Sequence, residues 1–513
     1  MRGHASCLLA DPVGYRPRRP AQSTLYRVVS TELEGFLARQ AAADRPVPEF
    51  VENEFRTFLE CGILAHGFCR VHCAHCRKDK LLPFSCKGRG ICPSCSGRRM
   101  VETAAHLVDN VVPRVPVRQW VLSLPIQIRY LVAYDSRLLT AVLGVVTRAI
   151  RAWYRKAARK KHGVTNTQTG AITAIQRFGS ALNLNPHVHS PWADGVWDVS
   201  GPTPRFLEVD PPTEEDLEKL VRTIGKRVRR LLVRRGLLDE DGHVLDDPLA
   251  GDDSALPGAS QVSIAQCDER GWRLESLGRR DDPITSIETN RKGLSARHEG
   301  FSLHASRPIA RNDRKSLEHL FRYALRPAIV DDRLDQRPDG KITVKLKTPW
   351  RDGTHTIVLT PHQFMQRLVA LVPAPRANLT RYHGVFAANS KWRKHIVPHR
   401  PVEQLELLDP ETGEPKPSPG SHAGKSRAAV STRPDNYDWA TLLRRVFEVD
   451  VTVCVECGGP TKIISAITQP DVIEKILKHL GLPTKPPKFE ARGPPVDIDD
   501  QLELIWCDDD QVA

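Results

Sequence analysis

The chain has no long apolar run. Nowhere does it reach the about 18 consecutive apolar residues of a membrane-spanning helix, so a spanning protein is excluded from the expectations. The N-terminal MRGHASCLLADPVGYRPRRP lacks the apolar stretch of a secretory signal, and a cytosolic setting is expected. No internal repeat of fixed period appears, which argues against a solenoid or propeller. Acid is scarce relative to base: 61 Asp and Glu stand against 75 Lys and Arg, leaving a net charge of +14. With a pI near 9.3, a polyanion is the first partner to consider, and nucleic acid ranks before a membrane. Nor does the chain have the composition of a disordered protein. Its 40% hydrophobic and 27% charged residues are ordinary for a globular one, and 513 residues suit about three domains. In a reducing compartment its twelve cysteines read as metal ligands or buried thiols instead of disulfides.

Those cysteines are unevenly spread. Seven of them crowd between Cys61 and Cys95 and define a zinc-binding domain over residues 56–112, preceded by an N-terminal arm, residues 1–55, that ends in a helix-like stretch. From about 113 the texture becomes α/β. VRQWVLSLP reads as a strand, SRLLTAVLGVVTRAIRAWYRKAARKK as a long helix, and GAITAIQRFG and HVHSPWADGVW as two further strands. QVSIAQC, EGFSLHAS, KITVKLKT and THTIVLT complete a mixed or antiparallel sheet in a core running from 113 to 375, with a polar insertion at about 199–260. Residues 376–440 read as a connector and flexible linker, because 409–436 are rich in Pro, Gly and Ser. A small unit around CVECGG, 441–490, and a tail, 491–513, close the chain. The expected class is α/β in the α+β sense, with a zinc-ribbon-like module ahead of the core.

Cys73 and Cys76, fifteen residues, then Cys92 and Cys95 form a C-x2-C-x15-C-x2-C arrangement. Two thiolates two residues apart can turn onto one ion, and two such knuckles complete a tetrahedral four-sulfur shell, so these four are expected to hold one zinc ion. Cys61, His66, Cys69, His72, His75 and Cys86 stay unassigned, with core packing or hydrogen bonding around that ion as their expected role. Cys454 and Cys457 supply only two thiolates. Completing a site there calls for His479, Cys507 or another chain, and a metal-free turn is the equal alternative.

In Asn185-Pro186-His187-Val188-His189 the histidines flank an apolar residue. On a strand, positions two apart share a face, so both imidazoles reach toward one point while Val188 packs below. Two convergent imidazoles suit a divalent ion in a nucleolytic site, although such pairs also arise by chance. Further on, Leu317, Leu320, Phe321 and Ala324 trace a helical stripe that Pro327 terminates. Tyr323 borders the stripe between Arg322 and Arg326, which would favour a phosphate at its phenol; the plain alternative is an amphipathic tyrosine sealing a helix edge. RAIRAWYRKAARKK sets Arg155 and Lys156 beside Trp153 and Tyr154, either a nucleic-acid track with stacking rings or the solvated end of a helix.

Taken together, FSCKGRGICPSC, QRFGSALNLNPHVH, FSLHA, FRYALRP, LVPAPRANLTRYHGVFA and CVECGG with IISAIT resemble, in order and from about Cys61 to His479, the insertion-sequence-91 family of transposases. These are rolling-circle enzymes of the HUH type, including the common-region group. The resemblance implies a zinc-binding domain followed by an HUH endonuclease core, with His187 and His189 as the metal pair and Tyr323 as nucleophile. It implies structural Zn²⁺ and a catalytic Mg²⁺ or Mn²⁺, whose third protein ligand is expected from His304, Gln176 or Asp194, in that order of preference. The expected activity nicks and rejoins single-stranded DNA at element ends and at a target through a 5′-phosphotyrosine, with Arg322, Arg326, Arg155 and Lys156 on the DNA. Position 319, where relatives with two tyrosines carry the first, is His319, so the chain resembles the single-tyrosine branch. The expected location is the cytoplasm of a bacterium, on the nucleoid, and an oligomer is compatible with the sequence. The alternatives are a non-catalytic zinc-dependent DNA-binding regulator, a decayed transposase, or a recombinase of another chemistry.

Overall fold

The computed structural model describes residues 19–239, 253–265, 276–277, 294–350, 352–398, 453–454 and 456–487, together with Leu245. The linker read at 409–436, the tail from 491 and Cys507 lie outside the described residues, as does most of the insertion's acidic loop.

A six-stranded sheet organises the core. Its order is Leu294–His298, Phe301–Ala305, Val117–Ser123, Leu184–Ala193, Gly170–Phe178 and Thr380–Gly384, every neighbour antiparallel. Alternation along these strands gives the sheet two unlike faces. Trp120, Leu122, Ile175, Val188, Trp192 and Leu303 point to one face, where they pack with helices Ser136–His162 and Glu214–Arg234 in a single apolar cluster. The first helix is capped by Asp135, whose carboxylate accepts from the amides of Arg137 and Leu138, and it stops at Gly163 in the left-handed region. The second opens with a Thr213–Asp216 capping box and buries Leu217, Val221, Ile224, Val228 and Leu232. The segment read as an insertion therefore roofs the sheet. On the opposite face, helix Arg314–Ala324 inserts Leu317 and Phe321 among Val117, Ile172, Val108 and Phe386.

Four readings change. QVSIAQC was expected as a strand, but helix Leu256–Ala265 occupies its described part. Leu256, Ala259 and Val262 are buried there at helical spacing, and Ser260 donates to the Leu256 carbonyl at 2.6 Å while Ser263 accepts from the Leu184 amide at 2.7 Å. KITVKLKT and THTIVLT leave the central sheet and pair with Leu334–Gln336 and Ser276–Leu277 in a separate four-stranded sheet. The sixth central strand comes instead from Thr380–Gly384, beyond residue 375. Finally, helices Thr24–Ala42 and Glu49–Glu60 are no separate arm: Leu25, Val29, Phe36, Phe55 and Phe58 share a core with Phe364, Met365 and Leu368 of helix Pro361–Leu371.

Candidate active site and cysteine sets

Register places the histidines. His189 stands between Val121 and Ala174, and His187 between Ser123 and Gln176, so both imidazoles leave the face opposite the tryptophans. Their rings are 5.0 Å apart, and the Tyr323 ring lies 5.6 Å from His189 in an edge-on arrangement. Helix Arg314–Ala324 is held there by Gln176, whose Nε2 donates to the carbonyls of Tyr323 and Ala324 at 2.9 and 2.8 Å. Asp313 caps the helix by accepting from the Ser316 amide at 3.0 Å. The two motifs, more than a hundred residues apart, thus meet through one glutamine.

Burial keeps the imidazoles neutral. It lowers the pKa of His187, and it lowers that of His189 to about 3, helped by His187, Arg326 and Lys347. His187 Nδ1 lies 2.8 Å from the Asn185 carbonyl, to which it donates, leaving Nε2 with a lone pair. The Gln119 side-chain amide lies 2.5 Å from His189 Nδ1. The facing atom is the amide nitrogen, which donates, so in the neutral ring Nδ1 accepts and Nε2 carries the proton; only with the amide turned over does its oxygen hold the proton on Nδ1 and free Nε2 for an ion. Tyr323 is 42% exposed, which leaves its phenol open to a large substrate. Cations crowd its ring: Lys347 Nζ is 4.2 Å and the Arg326 guanidinium 5.0 Å from its centre. Arg322 turns back toward Glu318, at 3.6 Å.

The three candidates for a third ligand separate. Asp194 is committed elsewhere: Arg118 holds it by two 2.8 Å bonds on the tryptophan face, and the Tyr154 hydroxyl donates to it at 3.1 Å. His304 shares the histidine face but stands opposite Val121, two strands from the pair, and no set of three ligand atoms within 4.8 Å includes it among the described residues. Gln176 neighbours His187, and its Oε1 is buried without a hydrogen-bond partner. A buried oxygen acceptor beside two neutral imidazoles fits a divalent ion, since each unmade bond is costly. Arg155 and Lys156 lie on the helix packed against the opposite face, away from the tyrosine. Tyr154, expected to offer a stacking ring, is fully buried against Trp192 at 5.6 Å, and burial with Asp194 raises its pKa well above the usual phenol value.

Sequence reasoning missed Lys347 and Gln119, because no local pattern marks them. It also missed a cavity of about 260 Å³ between the cysteine module and the core, lined by Arg89, Arg99, Gln176 and Arg326 with no carboxylate.

Cys73, Cys76, Cys92 and Cys95 do not form one site. Cys92 and Cys95 gather with Cys61 and Cys86, whereas Cys73 and Cys76 gather with Cys454 and Cys457. The reason is the hairpin of Phe68–Cys73 and Asp79–Pro83, which holds Cys73 and Cys76 at its turn and returns the chain about 17 Å along a five-residue strand before Cys86. In the first set, neighbouring sulfurs are 3.5 to 3.7 Å apart. Four sulfurs about 2.3 Å from one zinc ion stand about 3.8 Å from each other, so this set has the spacing of a zinc site. The Gly88 amide donates to Cys86 Sγ at 3.3 Å, as a thiolate requires. His66, Cys69, His72, His75 and His479 belong to neither set, and His72 pairs with Asp79 at 2.7 Å.

Comparison with known proteins gives the same order of parts. Residues 30–124 match the family model described as "Transposase zinc-binding domain", and residues 170–394 match the one described as "Putative transposase". The chain is 23% identical over 419 residues to the transposase for insertion sequence element IS801 of Pseudomonas savastanoi pv. phaseolicola, covering 80% of this chain and 82% of that protein. No solved structure matches.

Proposed function

Because the chain belongs to the insertion-sequence-91 family of transposases, we propose that it nicks and rejoins single-stranded DNA at the ends of its element, with Tyr323 as nucleophile and His187 and His189 as ligands of a divalent ion. The observation that carries this reading is the meeting of Tyr323 with the histidine pair, ring to ring at 5.6 Å, on an otherwise buried sheet face. Gln176 replaces His304 as the third ligand, through the oxygen that lacks a partner. A Mg²⁺ or Mn²⁺ ion held there supplies charge neutralisation and polarisation of the scissile phosphate.

The protein's own groups do the rest. Lys347 and Arg326 lie over the Tyr323 ring and draw the phosphate to it. Tyr323 Oη attacks phosphorus and its proton leaves to solvent; the bond from phosphorus to the preceding nucleotide's 3′ oxygen breaks, and that oxygen takes a proton from solvent and departs as a 3′-hydroxyl. The 5′-phosphotyrosine keeps the bond energy, so a 3′-hydroxyl can reverse the step without ATP. Arg322 is left to support the helix from within, through its i,i+4 pair with Glu318, and Arg155 and Lys156 are left to contact duplex or strand remote from the cut. The strand's near path follows Arg326 toward Arg89 and Arg99, a basic cleft without an acid. As an enzyme that acts on DNA, the protein works in the cytoplasm on the nucleoid. Among the described residues no single helix is long and apolar enough to cross a membrane.

The test is incubation of the purified protein and Mn²⁺ with single strands covering the element's two ends, followed by detection of covalent protein–DNA adducts. The expected adduct maps to Tyr323 through a 5′-phosphate. A 3′-phosphate link would indicate a tyrosine recombinase, and binding with no adduct would indicate a DNA-binding regulator or a decayed enzyme.

A further inference from the structure

The second cysteine set lies half outside the zinc-binding match, since Cys454 and Cys457 come far beyond residue 124. We propose that Cys73, Cys76, Cys454 and Cys457 hold a second structural zinc ion, which fastens the C-terminal unit to the N-terminal domain. All four are free thiols, and all four sulfurs lie within 4.8 Å of one another. Cys73 Sγ is 3.6 Å from Cys457 Sγ, and Cys76 Sγ 3.7 Å from Cys454 Sγ, close to the about 3.8 Å edge of a tetrahedral zinc–sulfur site.

The backbone repeats itself on the two sides. Cys76 is followed by Arg77 at φ +58° and Cys457 by Gly458 at φ +70°, so each pair ends in a left-handed residue that turns both thiols inward. The Cys73 amide donates to the Lys78 carbonyl at 3.0 Å, and the Cys454 amide to the Gly459 carbonyl at 2.7 Å. Strand Thr461–Ile467 runs out of the second turn antiparallel to Phe68–Cys73, and Lys78 pairs with Glu456 across the junction. Among the described residues, three buried apolar side chains lie beneath, Phe68, Ile473 and Leu477, with Leu64, Leu81, Ile467 and Ile476 partly buried against them. So small a core needs a staple, and a four-thiolate zinc ion is the usual one.

Metal content tests the assignment independently of any cleavage assay. The purified chain should carry two zinc ions, and X-ray absorption should give four sulfurs at about 2.3 Å per ion. Cys454→Ser should lower the content to one, as should Cys61→Ser at the other set, and the pair together to none. Should Cys454→Ser fold poorly, a chain ended after residue 398 should also hold one. Two ions retained in Cys454→Ser or in the shortened chain would overturn the proposal, as would an average of three sulfurs and one nitrogen per ion.

Discussion

The two faces of the central sheet share six strands and differ in almost everything else. On one, Trp192 stacks on Tyr154, Trp120 donates to the Tyr154 hydroxyl at 3.2 Å, and a buried ion pair, Arg118–Asp194, has every carboxylate oxygen engaged. Trp192 Nε1 donates to Ser190, Ser190 meets Thr173 at 2.8 Å, and Thr173 meets His383 at 3.0 Å, so each of these polar groups ends in a partner. On the other, two imidazoles stripped of solvent face an exposed tyrosine, and Gln176 Oε1 has no hydrogen-bond partner. A folding chain gains nothing from that second arrangement. Under the proposed function, the contrast is between a network whose groups satisfy one another and a patch open to a ligand, and substitutions should divide accordingly.

The largest effect is expected from Tyr323→Phe. It should abolish covalent adduct formation while changing stability by no more than about 0.5 kcal/mol, because a 42% exposed phenol contributes little packing through its oxygen. Mass spectrometry of the adduct and a denaturant titration read both halves. His187→Ala and His189→Ala should likewise remove cleavage but leave binding to single-stranded DNA largely intact, since binding rests on many phosphate contacts; undiminished cleavage by the double variant would end the metal role. On the tryptophan face the ranking reverses. Asp194→Ala should cost about 3–5 kcal/mol of stability by leaving Arg118 buried without its partner, measured by urea unfolding.

Gln176→Leu sharpens the comparison further, removing the proposed third ligand and the tether of the tyrosine helix together. It should weaken Mn²⁺ binding about tenfold, read by calorimetry, with a smaller loss of stability than Asp194→Ala. The smallest effect concerns pH. Burial, with Arg381 nearby, holds His383 at about 4, below the usual 6.5 of the unfolded chain. Its contribution to stability is therefore fully present above about pH 6.5 and is lost as pH falls through 4, because the unfolded chain takes up the proton first. His383→Gln should reduce the slope by up to about 1.4 kcal/mol per pH unit in that window, a change that acid unfolding curves resolve.

Local patterns made much of this molecule readable. The period-two alternation around His187 and Val188, the stripe Leu317–Leu320–Phe321–Ala324 and the stop at Pro327 depend on neighbours in the chain, and the strand and helix lie where those patterns put them. The same locality explains the errors. C-x2-C pairs are local, but which pairs share an ion depends on a five-residue strand that carries Cys92 away from Cys73 and on a C-terminal strand that brings Cys454 to it.

By itself, then, the sequence determined the elements that carry the site, the two knuckles, the histidine face and the tyrosine's place on its helix, because each follows from spacing along a few turns of backbone. The tertiary structure decided the rest. Register across strands set Gln176 beside His187 and His304 two strands from the pair, packing drew Tyr154 and Asp194 into the core, and the fold brought Lys347 over the Tyr323 ring. Those relations join residues tens or hundreds of positions apart, and only closure of the core, which fixes strand order and buries one face against another, can select among them.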